Sequence, residues 1–559
     1  MTCAPTAAPL SPTPGLPSRP AAGSAPGFPL RSLGPLALAL VLLLPAPALA
    51  QEGVLGRTDF PNSGPPEAQG AFLEGVLWLH SFEYDRAREA FREAQRVAPE
   101  FALAYWGEAM TWNHPIWFQQ YRDEAREAME RLAPTPEARL ARAGTERERA
   151  WLESLEVLYG DGPKAQRDTL YSEALGRMWE RWPDDENVGA FYALSILGTS
   201  HGGRDIPTYM RAAAVAEEVY ERSPEHPGVL HYLIHAYDDP VHAPLGLRAA
   251  RRYALIAGDA PHAQHMTTHI FVAMGMWDEV VAHNDVASGP DPEEWFPGHY
   301  TWWLGYGYLQ QGRWERAEAH LEAMRERAPA GVLPGRRAHL ARMRAELVAN
   351  TGRWDHPALG WGVDVRDIRT GFGAALVAAD DWVRGRAALE RGDLPGAFEA
   401  VEALDSRAAE AAAADNPNDP TPGVARVMAL QLRGLAARSE GQWEEGLALL
   451  REALELERSL PFEFGPPLVV VPSGELLGEA LLADGLPTHA IGAFQATLEV
   501  APGRWTALQG LARASAAAGD PVTARRAWTE LAGNWHSADP GLPGLNEARQ
   551  ALEDLDRDR

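Results

Sequence analysis

Four histidines are spaced so that they can share a metal ion. His231 and His235 lie four residues apart, and His265 and His269 repeat that spacing 34 residues later. On a helix, residues four apart share one face, with Cβ atoms about 5–6 Å apart. Imidazole nitrogens are ligands of zinc and copper in proteins. The spacing therefore identifies these four side chains as candidate ligands of a divalent metal, zinc or copper.

Other polar residues in the same stretch are candidates to support such a site. Ten of the 17 histidines lie between 201 and 299. Acidic residues that can bind the metal or orient its ligands are Asp238, Asp239, Asp259 and Asp285. A metal-bound water would support hydrolysis. However, the His-Glu-x-x-His motif of zinc proteases is absent, and no carboxylate lies inside either histidine pair. The sequence leaves catalysis open, favours a non-catalytic role and assigns no catalytic residue.

The residues around these histidines have the pattern of helix hairpins repeated about every 34 residues. The clearest unit runs from about 68 to 101, with Gly75 on its first helix and Phe91 on its second. Short turns with Gly or Pro recur every 15–20 residues, which indicates nearly continuous helix. A Gly-x-Trp pair recurs where the first helix of a unit turns into the second, at Gly275, Gly312, Gly352 and Gly441. A glycine there allows a positive φ at a helix end, and the tryptophan is expected to pack back over its hairpin.

This pattern resembles the tetratricopeptide repeat (TPR) family. The resemblance implies an all-α fold, a right-handed α-α superhelical solenoid of TPR-like helix hairpins. The segment from Ala260 to Phe271 is also similar to one in a group of bacterial TPR proteins with no assigned activity, although Thr267 and Thr268 replace the usual Pro-Ser. That second similarity strengthens the expected architecture only.

The resemblance also implies where the histidines point, because the equivalent first-helix positions of TPR proteins face a concave groove. His262, His299 and His339 share one earlier position of successive units. We predict a ligand-binding groove lined by histidine and aromatic side chains: His231, His235, His265, His269, Trp302, Tyr306, Trp106 and His299.

Three functions remain open at this point. The first is a binding scaffold whose groove holds a protein, a peptide or a small-molecule ligand. The second is a metal-binding protein, with zinc or copper on His231, His235, His265 and His269, which includes a metal-dependent enzyme. The third is a structural member of an envelope assembly that binds through its outer faces.

Composition excludes several classes of function. Acidic residues outnumber basic ones 77 to 51, for a net charge of −26, so the chain repels phosphate backbones and nucleic acid is not an expected partner. The single cysteine excludes an internal disulfide and cysteine-based metal sites.

The first fifty residues have the order of a secretory signal. Arg31 precedes an apolar run from Leu36 to Leu44, and Ala48-Leu49-Ala50 forms a cleavage site. That run is shorter than the roughly 20 residues that span a bilayer, so no transmembrane segment is expected after signal cleavage. We therefore expect an exported protein, periplasmic or extracellular.

Breaks in the helical pattern set the expected domain boundaries. Residues 464–473 read as an extended insert that ends in a Ser473 helix cap. We predict a signal peptide at 1–50, a flexible linker at 51–67, an N-terminal TPR-like array with the histidine-rich groove at 68–355, an irregular connection at 356–372, a C-terminal TPR-like array at 373–540 and a helical, charged tail at 541–559.

Overall fold

The computed structural model describes residues 54–328 and 332–557 and is almost entirely helical within them. The predicted signal peptide at 1–50 lies outside the described residues. One short antiparallel pair interrupts the helices, in which β1 (Asn113–His114) pairs with β2 (Gln119–Gln120). Short 3-10 helices occur at Pro115–Trp117, Pro292–Glu294 and Pro357–Gly360.

The α-helices follow one another with short connections. The first part of the chain contains α1 (Pro66–His80), α2 (Tyr84–Val97), α3 (Ala102–Met110), α4 (Arg122–Leu132), α5 (Pro136–Leu140), α6 (Glu146–Leu158), α7 (Lys164–Arg181), α8 (Glu186–Leu197) and α9 (Ile206–Arg222). The central part contains α10 (Pro227–Ala236), α11 (Ala243–Ile256), α12 (Pro261–Ala273), α13 (Trp277–Ala287), α14 (His299–Gln310), α15 (Trp314–Glu326), α16 (Pro334–Thr351) and α17 (Gly371–Glu390). The last part contains α18 (Leu394–Ala413), α19 (Thr421–Ser439), α20 (Trp443–Ser459), α21 (Ser473–Ala483), α22 (Pro487–Val500), α23 (Trp505–Ala517), α24 (Pro521–Asn534) and α25 (Pro543–Arg557).

The helices stack as TPR-like hairpins, which confirms the predicted fold class. Consecutive helices pack against each other along most of the chain, and alternate helices such as α8 and α10, α10 and α12, and α14 and α16 also touch. Alternate contacts of this kind place the first helices of successive hairpins side by side. The protein is thus an all-α solenoid in which each hairpin buries its apolar face against its neighbours.

Close packing inside the hairpins depends on glycines opposite a phenylalanine. The ring of Phe91 lies against Gly75 and Gly107, where an added Cβ would come within 2.8 and 2.3 Å of it. Phe494 occupies the same kind of site between Gly478 and Gly510, with distances of 2.7 and 2.2 Å. A large ring thus fills the space that small residues open, at both ends of the chain.

The Gly-x-Trp turns have the predicted backbone but not always the predicted packing. Gly275, Gly312, Gly352 and Gly441 all have positive φ, between 64° and 81°. Trp277 is buried and its indole nitrogen donates to the Gly503 carbonyl at 3.0 Å. Trp443, in contrast, is 56% exposed, so the prediction that each tryptophan packs over its hairpin is wrong there.

Two local expectations differ from the structure. Residues 54–64, expected to belong to a flexible linker, pack against the array because Phe60 is an apolar anchor that contacts Phe72, Trp106 and Trp151. Ser473 is not a helix cap, since α21 begins at that residue and its hydroxyl accepts from Gln431 instead.

The described residues belong to one compact unit. Residues 352–370 carry only a 3-10 helix between α16 and α17. The division into two arrays at this connection stays a prediction. Within the described part of the chain, no helix combines the length and the apolar character needed to cross a bilayer.

Substitution of Gly107 tests the close approach at Phe91. Gly107→Ala should destabilise the protein by about 1–3 kcal/mol, because the new methyl group overlaps a ring that packed neighbours hold in place. The measurement is the melting temperature by circular dichroism. Gly70→Ala is the matched control, since Gly70 lies on α1 with no neighbour within 4 Å of an added Cβ. A Gly107→Ala protein as stable as the control would contradict the packing account.

Glu457 on α20 gives a pH-dependent test of the segment that follows it. The backbone N–H of Ser473 donates to its carboxylate at 2.7 Å. Burial raises the pKa of Glu457 to about 7, so the folded protein holds this proton more tightly than the unfolded chain, where the pKa is near 4.5. The carboxylate therefore opposes folding increasingly as pH rises from about 4.5 to about 7, and fully above that.

The variant Glu457→Gln should remove this penalty, which amounts to about 1–3 kcal/mol for the partly buried group. The melting temperature of the variant should exceed that of the wild type by more at about pH 8 than at about pH 5. Glu455→Gln, at an exposed position of the same helix, controls for the loss of one charge. An equal difference at both pH values would contradict the raised pKa.

Candidate functional site: a buried histidine cluster

Six histidines from three neighbouring first helices meet in the interior of the stack. Helices α10, α12 and α14 each begin a hairpin, and α10 packs on α12. The first triad consists of His231, His235 and His262, and the second triad consists of His265, His269 and His299. In each triad, the atoms that can bind a metal lie within 4.8 Å of one another.

The four predicted histidines therefore come together, but not as one four-ligand site. His231 and His235 lie in one triad, whereas His265 and His269 lie in the other. The reason is that α12 also carries His262, three residues before His265. This ring groups with His231 and His235 of α10 to form the first triad. His262 is a candidate ligand that the 34-residue repeat of the two pairs does not include, although its position three residues before His265 on the same helix face was a usable signal.

The second triad has an unusual contact between two ring nitrogens. The Nε2 atoms of His265 and His269 are 3.1 Å apart. The Nδ1 of His269 is 2.6 Å from a carboxylate oxygen of Asp238. The Nδ1 of His265 is 2.8 Å from the side-chain oxygen of Asn284. Both oxygens are acceptors, so each Nδ1 carries the proton and donates it.

The orientation of the Asn284 amide is set by its other contacts. Its NH2 group donates to the carbonyl oxygen of Val280 at 3.0 Å and lies 3.3 Å from the Thr268 hydroxyl. A flipped amide would place its oxygen against the Val280 carbonyl, so the oxygen must face His265. In neutral rings, the two Nε2 atoms therefore both carry bare lone pairs, and these point at each other.

The first triad is held in the same way. His231 Nδ1 donates to the carbonyl oxygen of His80 at 2.7 Å, which leaves its Nε2 without a proton. Gly228 permits this approach of α10 to α1, since a Cβ there would lie 2.2 Å from the His80 ring. The Nε2 atoms of His231, His235 and His262 are buried and have no hydrogen-bond partner among the described residues. Each ring of this triad thus has one buried nitrogen without a partner among the described residues.

Burial favours the neutral form of five of the six rings. Desolvation, followed by repulsion from a neighbouring histidine, lowers the pKa of five rings well below the usual 6.5: His231, His235, His262, His265 and His299. A neutral imidazole is the form that binds a metal. His299 is the most accessible of the six, being partly exposed at the start of α14.

Aromatic side chains surround the cluster. Phe82 lies 4.3 Å from the His231 ring, and Trp303 lies 4.8 and 4.5 Å from the rings of His265 and His269. Phe464 approaches His269 from the other side at 5.2 Å. The walls of the site are therefore apolar and exclude most water.

The aromatic residues predicted to line an open groove lie elsewhere. Trp106 is buried in the core with Trp151 and Phe191. Trp302 donates to Glu346 at 2.8 Å, and the Tyr306 hydroxyl accepts from Arg504 at 3.2 Å. All three rings are at most 2% exposed. Trp303 approaches all three rings of the second triad, whereas Trp302 approaches only that of His299, at 6.0 Å.

The chain itself fills the expected groove. Residues 464–472 run through the interior, where Arg342 donates to the carbonyl of Leu468 at 2.6 Å and Gln431 donates to that of Val471 at 2.9 Å. Gly465, with a φ of 95°, lies so close to Trp303 that a Cβ would be 2.1 Å from the ring. At these residues the predicted groove is occupied by the insert.

The acidic residues near the histidines divide into different roles. Asp238 orients His269, whereas Asp239 pairs with Arg204 at 2.7 Å. Asp259 accepts from the backbone of Val54 at 2.9 Å. Of these three, only Asp238 has the contact expected of a residue that orients a metal ligand.

Comparisons with known proteins assign neither a family nor a function to the chain. No family model matches the chain, and no curated protein matches it. One similar solved structure is the crystal structure of the APC/C hetero-tetramer Cut9-Hcn1, with 14% sequence identity and a TM-score of 0.31; the match covers 89% of this chain and 78% of that chain.

Proposed function

We propose that this protein binds a transition-metal ion, zinc or copper, at the second triad of His265, His269 and His299. The observation that carries this proposal is the 3.1 Å contact between two Nε2 atoms whose Nδ1 protons are both committed to other acceptors. Two bare lone pairs facing each other repel. A cation between them turns this repulsion into two bonds.

The alternative cation is a proton, and the surroundings of His265 disfavour a proton on that ring. A proton on one Nε2 would make a charged imidazolium in a dry cluster of histidines. Burial and the neighbouring ring lower the pKa of His265, which opposes that charge. A metal ion, in contrast, bonds to several nitrogens at once, and these bonds compensate for the hydration that it loses on burial.

The distance between the two nitrogens is compatible with a shared metal ion. Nitrogen ligands lie about 2.0–2.1 Å from zinc, so two of them at a tetrahedral angle are about 3.3 Å apart. The separation of 3.1 Å in the second triad is close to this value. The oxygens of Asp238 and Asn284 hold the two rings in place in the manner typical of metal-binding histidines.

Binding of a protein, peptide or small ligand in a groove is the other function that the fold allows, since stacked repeats offer extended binding surfaces. Trp302 and Tyr306 are at most 2% exposed, so a ligand that reached them would have to displace packed side chains. We therefore place metal binding first. Export to the periplasm or the exterior remains a proposal that rests on residues 1–50.

Metal analysis of the purified protein tests the proposal. Both proteins are treated with a chelator and dialysed against zinc or copper. The wild-type protein should then bind one equivalent of metal per chain more than the double variant His265→Ala/His269→Ala. Zinc at about 100 times its dissociation constant should stabilise the wild-type fold by about 2.7 kcal/mol. His489→Ala is the control, because this histidine is exposed on α22, away from the cluster.

The outcome that contradicts the proposal is equally direct. If wild type and the double variant bind the same amount of metal, or if neither zinc nor copper shifts the wild-type melting temperature, the second triad is not a metal site. Circular dichroism of the metal-free variant checks that its helices are formed.

A further inference from the structure

The first triad is a second set of three nitrogens directly beside the proposed metal site. The rings of His262 and His265 are 6.2 Å apart, and those of His235 and His269 are 6.1 Å apart. Helix α12 supplies ligands to both triads. Dinuclear metal sites hold their ions about 3.5–4 Å apart, and ring separations of this size allow such a pair.

One nitrogen of each ring in the first triad lacks a hydrogen-bond partner among the described residues. The Nε2 atoms of His231, His235 and His262 are buried and unpartnered within the described part of the chain. Leaving buried polar atoms unpaired destabilises a folded protein. One ring nitrogen from each of these histidines lies within 4.8 Å of the others, which indicates a site for a cation rather than three independent defects.

Charge determines which cation suits two adjacent sites. All six ligands are neutral nitrogens. Arg204 donates to the His235 carbonyl at 3.2 Å but is paired with Asp239 at 2.7 Å. Among the described residues, the carboxylates left against the cluster are therefore Asp238, on His269, and Glu83, which accepts from the His262 backbone at 3.1 Å. Two divalent ions would place four positive charges against these two carboxylates. The cost of burying charge rises steeply with the charge, so two monovalent ions fit the site much better.

We propose that the two triads together hold a pair of copper(I) ions and that this pair binds dioxygen between the metals. This inference rests on the proposed metal binding at the second triad. It adds a second ion at the first triad, names copper as the metal and names dioxygen as the ligand. Copper takes imidazole ligands. Its monovalent form brings two positive charges, which the carboxylates of Asp238 and Glu83 offset.

The redox step balances without an added proton or reductant. Each copper(I) gives one electron to dioxygen, which is reduced to peroxide with its oxygen–oxygen bond kept as a single bond. The metals become two copper(II) ions, and the peroxide carries two negative charges. The total charge of the centre is therefore two positive charges before and after the reaction. A buried site that tolerates the reduced pair thus also tolerates the oxygenated one.

The surroundings favour dioxygen over charged ligands. Phe82, Trp303 and Phe464 form apolar walls against the histidine rings. A small neutral molecule enters such a site without losing strong hydration, whereas an anion does not. Partly exposed His299 marks the side from which the second triad is reached.

The test begins with copper(I) titration of the chelator-treated protein under argon. We expect two copper ions per chain. On addition of air, an intense near-ultraviolet absorption from peroxide-to-copper charge transfer should appear. Electron paramagnetic resonance should detect little copper(II), since the spins of a bridged pair cancel.

Variants assign the two sites. His262→Ala and His299→Ala should each reduce the tightly bound copper to one equivalent per chain and abolish the absorption band. The control His489→Ala should keep two copper ions and the band. Melting curves of the metal-free proteins verify that each variant folds.

Two results would contradict the proposed pair of copper ions. One is a single copper per chain in the wild-type protein. The other is two copper ions that give a full copper(II) resonance signal after exposure to air, which would mean two separate sites. In both cases metal binding at the second triad would still stand. If neither copper nor zinc binds, the proposed function and this inference fail together.

Discussion

The site depends on one constraint, which is that acceptor oxygens hold the Nδ1 protons of His265 and His269 and so force their bare Nε2 atoms together. Asp238 and Asn284 impose this arrangement from elements outside α12. The contact is repulsive in the absence of a cation. Other interactions of the fold must offset this repulsion, and the packing of the surrounding buried helices provides them.

The hairpin stack is what makes this constraint possible. First helices of successive hairpins lie side by side, so ligands from α10, α12 and α14 meet without a long loop. Asn284 reaches the site from α13, the second helix of the same hairpin. The insert at 464–472 then closes the interior from the far end of the chain. Rigid helices hold the nitrogens, and the insert keeps the space dry.

Much of this arrangement follows from the sequence, for identifiable reasons. Local signals were sufficient for the hairpins, because the spacing of glycine, phenylalanine and proline reflects contacts within a unit. The i, i+4 spacing and the offset of 34 residues likewise identified His231, His235, His265 and His269 as members of one region. The positive φ of the glycines in the Gly-x-Trp turns was also predictable from the turn position alone.

The rest depends on contacts between distant parts of the chain. How the six rings divide into triads depends on how α10, α12 and α14 are rotated against each other, which a repeat pattern does not encode. The insert that fills the groove is more than 150 residues from His299 in sequence. Its contacts with Trp303 and Arg342 bury residues that the repeat pattern alone places on an open surface.

The most direct measurement of the central claim is anomalous X-ray diffraction from crystals loaded with zinc or copper. The account predicts an anomalous peak bonded to the Nε2 atoms of both His265 and His269, at about 2.0–2.1 Å from each for zinc. Crystals of the loaded protein with no peak there, and with a hydrogen bond or a water molecule between the two rings instead, would contradict it.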